Sequence, residues 1–177
     1  MRKLIATPMI AGLVGLAALT APLAAHASTS DTPVTFTVGG GGLSITEPGS
    51  ASLAATVGDA TATGTLGNVS VTDDRGTPGA GWTASAISTA FTGTDHAMVI
   101  PATSVSYSAG TISGNTAVGT FTSAGTVTNL TGVKAVVTAS GETGNATVGW
   151  DPTLTIALPS SGLVADTYDA TITESVA

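Results

Sequence analysis

Gly149-Trp-Asp-Pro-Thr-Leu-Thr-Ile-Ala-Leu-Pro159 (GWDPTLTIALP) sets a tryptophan and a proline ahead of a strict apolar alternation. Leu154, Ile156 and Leu158 fall on one side of an extended chain, Thr153, Thr155 and Ala157 on the other, until Pro159 stops the run. The same period of two recurs. Val34, Phe36 and Val38 alternate with threonines before Gly39 to Gly42, and Leu43 and Ile45 alternate with Ser44 and Thr46 before Pro48-Gly49. Val69 and Val71, Val105 and Tyr107, and then Tyr168, Ala170 and Ile172 repeat the pattern against Ser, Thr and Asp. Each run offers one apolar face and one hydroxyl face, as in an antiparallel sheet with a single wetted side. The expected fold is all-β: an antiparallel β-sandwich of about eight to ten short strands, with a closed β-barrel as the alternative. Residues 108 to 132, rich in Gly, Ser, Thr and Asn, read as weakly patterned strands with long loops.

Composition agrees with that reading. Helix formers such as Glu, Lys, Gln and Arg are scarce, while Thr, Ser, Gly and Ala abound. Arg2 and Lys3 precede the apolar run Leu4 to Leu23, and Ala25-His26-Ala27 supplies a small-x-small cleavage pattern, so residues 1–27 read as a secretory signal peptide. Residues 28–32 (STSDT) read as a flexible leader and 33–177 as a single domain. No later run approaches the roughly 18 apolar residues of a membrane span.

Charge and residue inventory exclude several chemistries. After residue 27 only Arg75 and Lys134 are basic, against eleven carboxylates, a net charge of −9 that repels nucleic acid. With no cysteine, and His96 the single histidine after the leader, neither a zinc site nor a nucleophile–histidine pair is expected. Calcium would have Asp73, Asp74 and Asp95 as oxygen ligands, but the spacing of a dedicated calcium loop is absent. No catalytic residue, metal or cofactor is expected, and the chain reads as non-enzymatic; a structural β-module that self-assembles through its sheet edges is the alternative reading, and a carbohydrate-active enzyme the less favoured one.

The most individual stretch is Val71-Thr-Asp-Asp-Arg-Gly-Thr-Pro-Gly-Ala-Gly-Trp82. It reads as a strand end, a glycine-rich connection and a second strand that aims Trp82, with Arg75 pairing to Asp73 or Asp74. The few aromatic residues, Trp82, Trp150, Tyr107 and Tyr168, suit either the core or stacking on sugar rings; position favours the core for Trp150 and Tyr168.

Four segments together resemble the WxL-domain surface proteins of Gram-positive bacteria, in particular short single-domain actinobacterial relatives. These are Phe36-Thr-Val-Gly-Gly-Gly-Gly-Leu-Ser-Ile45, the Val71–Trp82 stretch, Gly149–Ile156 and Asp166-Thr-Tyr-Asp-Ala-Thr-Ile-Thr173. Of the two Trp-x-Leu motifs, the first matches Trp82-Thr83-Ala84, with Ala in place of Leu. The second falls at Glu174-Ser175-Val176, with Glu in place of Trp. The resemblance implies a secreted or wall-associated protein that binds cell-wall peptidoglycan, or a partner surface β-domain, without a covalent link. It carries Trp82, Asp73, Arg75 and Trp150 over as binding residues. Glu174 stands in the apolar phase of its strand, so it is expected either at a frayed end or beside a polar partner.

Overall fold

The structure, a computed structural model, describes residues 32–113 and 118–177. The expected signal peptide and most of the leader lie outside the described residues. Contacts divide the chain between Phe36 and Thr37, and the unit Thr37–Ala177 carries every described strand.

Among the described residues fifteen strands follow one another. The first five are β1 (Leu43–Thr46), β2 (Thr61–Thr65), β3 (Val69–Asp73), β4 (Ala80–Ser88) and β5 (Phe91–Gly93). Next come β6 (Val99–Ile100), β7 (Val105–Ser108), β8 (Ile112–Ser113), β9 (Val118–Ser123) and β10 (Thr126–Thr128). The last are β11 (Lys134–Thr143), β12 (Ala146–Trp150), β13 (Thr153–Ala157), β14 (Tyr168–Asp169) and β15 (Ile172–Val176). They form four antiparallel sheets: β1-β3-β12-β8, β10-β7-β13-β2, β15-β4-β11-β9 and β14-β5-β6. No α-helix occurs among the described residues, only a 3-10 turn at Ala102–Ser104.

The neighbour orders reveal two layers. β2 runs into β3, β13 follows β12 and β7 runs into β8, with the same neighbours on both sides of each break. The first two sheets are therefore one layer, interrupted at 66–68, 109–111 and 151–152. In the same way β4 continues as β5 and β14 as β15, so the other two sheets form a second layer, interrupted at 89–90 and 170–171. At the flanks β1 lies beside β15 and β8 beside β9. This is a β-sandwich, and no sheet closes into a barrel. Counting each interrupted pair as one strand leaves ten, within the expected number.

Between the layers lie Trp82, Trp150, Tyr107, Leu130, Leu154 and the inward valines of β3, β11 and β12. Each fully buried aliphatic side chain contributes about 1.5–3 kcal/mol of transfer free energy. The deciding stretch behaves as its pattern requires: Leu154 and Ile156 are buried while Thr153 and Thr155 are half-exposed.

Two expectations need correction. Residues 34–38 form no strand, and Val34, Phe36 and Val38 are each more than four-fifths exposed. Alternation supplies a face, but without a ladder partner the face has nothing to pack on. Pairing begins instead at the glycines, where Gly41 N–H donates to the Asp74 carbonyl at 2.6 Å and Asp74 N–H to that of Gly42 at 2.8 Å. A side chain at Gly40 would collide with the Arg75 carbonyl, so glycine admits this approach. The run 168–173 is also not one strand. Tyr168–Asp169 pairs with β5 and Ile172–Val176 with β4, although the inward phase is kept across the break.

Candidate functional site

Asp73 ends β3 and Ala80 begins β4 in the opposite layer, so the glycine-rich stretch crosses between layers. Gly76 and Gly79, with φ of 65° and 75°, make the turns. Arg75 folds back on Asp73: its Nε donates to Oδ1 at 2.9 Å and its Nη2 to Oδ2 at 2.6 Å. The Arg75 backbone N–H also donates to Oδ1 at 3.0 Å, and Nη2 reaches the Gly81 carbonyl at 3.0 Å. The side-chain bonds from Arg75 hold Asp73 down at about 2, outweighing its burial.

Glu142 belongs to the same cluster. The β11 register against β4 slips between Ala139 and Glu142, and this irregularity carries Glu142 into the core, 1% exposed. Neither carboxyl oxygen has a hydrogen-bond partner of ordinary geometry, nor does the buried Trp82 Nε1. Burial, and then the neighbouring Asp73 carboxylate, push Glu142 up, against an opposing pull from the Trp82 indole. The upward shift favours the neutral acid, which avoids an unpaired buried charge.

A second cluster sits further along the β3–β12 ladder. Ala146 faces Asp73 while Trp150 faces Val69, four residues away and so about 13 Å distant. Trp150 Nε1–H donates to the Tyr107 hydroxyl at 2.8 Å, and that hydroxyl donates to Glu174 Oε1 in the other layer. Glu174 thus has the polar partner its inward phase demanded. Burial pushes it up to about 7, the Tyr107 bond opposing and Glu47 adding to the rise. Tyr107 is raised as well, first by burial and then by the Glu174 charge.

A cleft of about 580 Å³ lies between segment 51–57 and segment 163–170. Leu53, Phe91, Ile156 and Leu163 line it together with the half-exposed Tyr168, and Ser52, Thr56, Thr167 and Asp169 add polar groups. Tyr168 is fixed by its hydroxyl, which donates to the Val164 carbonyl at 2.9 Å. Asp166 anchors the neighbouring turn. It accepts the backbone N–H of His96 at 2.9 Å and of Thr167 at 2.7 Å, and the Thr94 hydroxyl at 3.1 Å. Burial opposes its ionisation, but the N–H groups of His96, Asp95 and Thr167 win and hold it at about 2. His96 Nδ1 lies 3.5 Å from Asp166, so the histidine is part of this anchor.

Of the four residues taken as binding residues, Asp73 and Arg75 are bonded to each other, Trp82 adjoins them through Glu142, and Trp150 stands apart in the second cluster. Trp82 and Trp150 are 3% and 0% exposed, leaving no ring face for a ligand to stack on. Asp73, Asp74 and Asp95 do not gather: among the described residues no three His, Asp or Glu side chains are placed to hold a metal ion. Glu142 was not foreseen; Gly141, at φ 66°, was its one sequence signal. Nor was the partnership of Glu174 with Tyr107, since 67 residues separate them. No protein-family model, curated protein or solved structure matches the chain.

Proposed function

We propose that this is a secreted, non-enzymatic cell-surface protein that associates non-covalently with cell-wall peptidoglycan. The observation that carries the reading is the cleft beside Tyr168, where a fixed aromatic ring and an apolar floor lie within reach of hydroxyl and carboxylate groups. Sugar rings ask for that combination, an apolar face against the aromatic ring and polar groups at the ring's edge. The net charge of −9 after residue 27 disfavours a phosphate-rich ligand and leaves uncharged glycan and peptide as the better match. In this reading Trp82, Asp73, Arg75 and Trp150 hold the two layers together, and the polymer is touched by Tyr168 and the cleft.

Co-sedimentation with purified, protein-free Gram-positive cell walls tests the proposal. The wild-type chain should pellet with the walls, Tyr168→Ala should remain largely in the supernatant, and Trp82→Phe should pellet as the wild type does. Wild-type protein found wholly in the supernatant would overturn wall binding. Pelleting only with walls that keep their proteins would transfer the interaction to a partner surface protein.

A further inference from the structure

A second cavity, of about 530 Å³, opens where the strands of both layers are interrupted. Leu66 lies just after β2 and Thr171 between β14 and β15, and Phe91, Leu154 and Ile172 supply apolar wall. Two carboxyl groups, Glu174 and Glu47, face the same space. Glu174 is 8% exposed and held at Oε1 by Tyr107, itself held by Trp150, so its position is set by the core.

What the cavity lacks is a cation. Among the described residues no basic side chain lines it; Arg75 is committed to Asp73. Lys134 stands in register with Ala86, the residue that Glu174 also faces, yet forms no salt bridge among the described residues. Glu174 in the recess and the exposed Glu47 at its mouth repel one another, and burial with the Glu47 charge raises Glu174 to about 7. A group that brought a positive charge on an aliphatic stem would satisfy both features of the site.

We propose that this cavity binds a lysine side chain presented by a peptide, its methylenes against Leu66, Leu154 and Ile172 and its ammonium between Glu174 and Glu47. The inference does not rest on the wall-binding reading: cavity and cleft share Leu53 and Phe91 as a common wall, but Glu174 and Glu47 line the cavity alone, and the probe is a small soluble molecule. Association requires an ionised Glu174, so affinity rises as pH passes through 7. The other titratable groups at the site are Glu47 and Tyr107.

The test titrates the folded chain with Nα-acetyl-lysine methylamide and follows the two indole N–H resonances. Trp150 reports on the cavity because its N–H is one hydroxyl away from Glu174, while Trp82, in the other cluster, is an internal control. The expected result is a saturable shift of the Trp150 signal alone, stronger at pH 8 than at pH 5.5. Nα-acetyl-norleucine methylamide, which has the stem without the charge, should give none. Glu174→Gln should weaken binding about tenfold or more, the scale of a charge-assisted hydrogen bond. Should Glu174→Gln not fold, the exposed Glu47→Gln must still weaken it. Equal shifts from norleucine and lysine, no shift at tens of millimolar lysine probe, or unchanged affinity in Glu47→Gln and Glu174→Gln would each overturn the proposal.

Discussion

Two buried carboxyl clusters bridge the layers along one strand ladder, and they handle charge in opposite ways. At Asp73 a guanidinium and a backbone N–H meet the carboxylate, and burial beside that carboxylate pushes the adjoining Glu142 up, toward its neutral form. At Glu174 no cation stands among the described residues; a phenol and, behind it, an indole N–H support it there, with a second acid at the cavity mouth. In the first cluster the charged carboxylate, Asp73, has its counter-charge within the chain. The second is held in place but electrically unfinished, and it is the one that opens on a cavity. Burial alone does not separate a structural carboxyl from a receptive one; the presence or absence of a committed counter-charge does.

The largest effect that would sharpen this contrast is in the pH dependence of stability. Glu174 titrates at about 7 in the folded chain against an ordinary value of 4.5, so between those values the native state binds the extra proton. Its contribution is fully present below about 4.5 and is lost as pH rises through 7, roughly 3 kcal/mol in all. Urea unfolding should show stability falling over that range in wild type, and Glu174→Gln should remove most of the fall; a wild-type profile flat from pH 5 to 8 would break the comparison. Glu142, also raised, acts in the same direction.

Arg75→Ala comes next. It strips a buried carboxylate of its cation and should lower the urea midpoint, though less than for a fully buried pair because Arg75 is one-third exposed. Asp73 has the opposite linkage: its folded value of about 2 lies below the ordinary 3.8, so its stabilisation is present above that value and lost as pH falls through 2. In Arg75→Ala the acid-side loss should shrink, measured as a smaller decrease in unfolding free energy between pH 4 and pH 2.

The smallest effect compares the indoles. Trp150→Phe and Trp82→Phe remove similar volume, but only Trp150 N–H has a hydrogen-bond partner of ordinary geometry. Trp150→Phe should therefore be more destabilising by about 1 kcal/mol in denaturant titrations at one pH. Equal costs would mean that the Trp82 N–H is as well satisfied as that of Trp150.

The inward phase of β1, β3, β7, β13 and β15 was legible because a period of two in a chain poor in helix formers has few other meanings. Even Glu174, read as an acid in an apolar phase, was legible as a group in need of a partner. The partner was not, because Tyr107 reaches it across the sandwich and nothing local encodes that distance. Glu142 escaped for another reason: a register slip reverses which residues of β11 face inward, and strict alternation then predicts the wrong side. The run at Val34 to Val38 misled in the opposite sense, having the right alternation and no strand beside it.

The interrupted strands carry a consequence for local motion. With breaks at 66–68, 89–90, 109–111, 151–152 and 170–171, the ladders of the sandwich divide into two stacked blocks, stitched at the divide by such bonds as Leu66 N–H to Pro152 and Thr89 N–H to Thr171. No ladder runs through the divide, so slowly exchanging amides are expected to fall into two cooperative groups, one on each side of it. Glu174 and its cavity lie at that boundary, where a transient separation of the blocks would widen access without unfolding the chain.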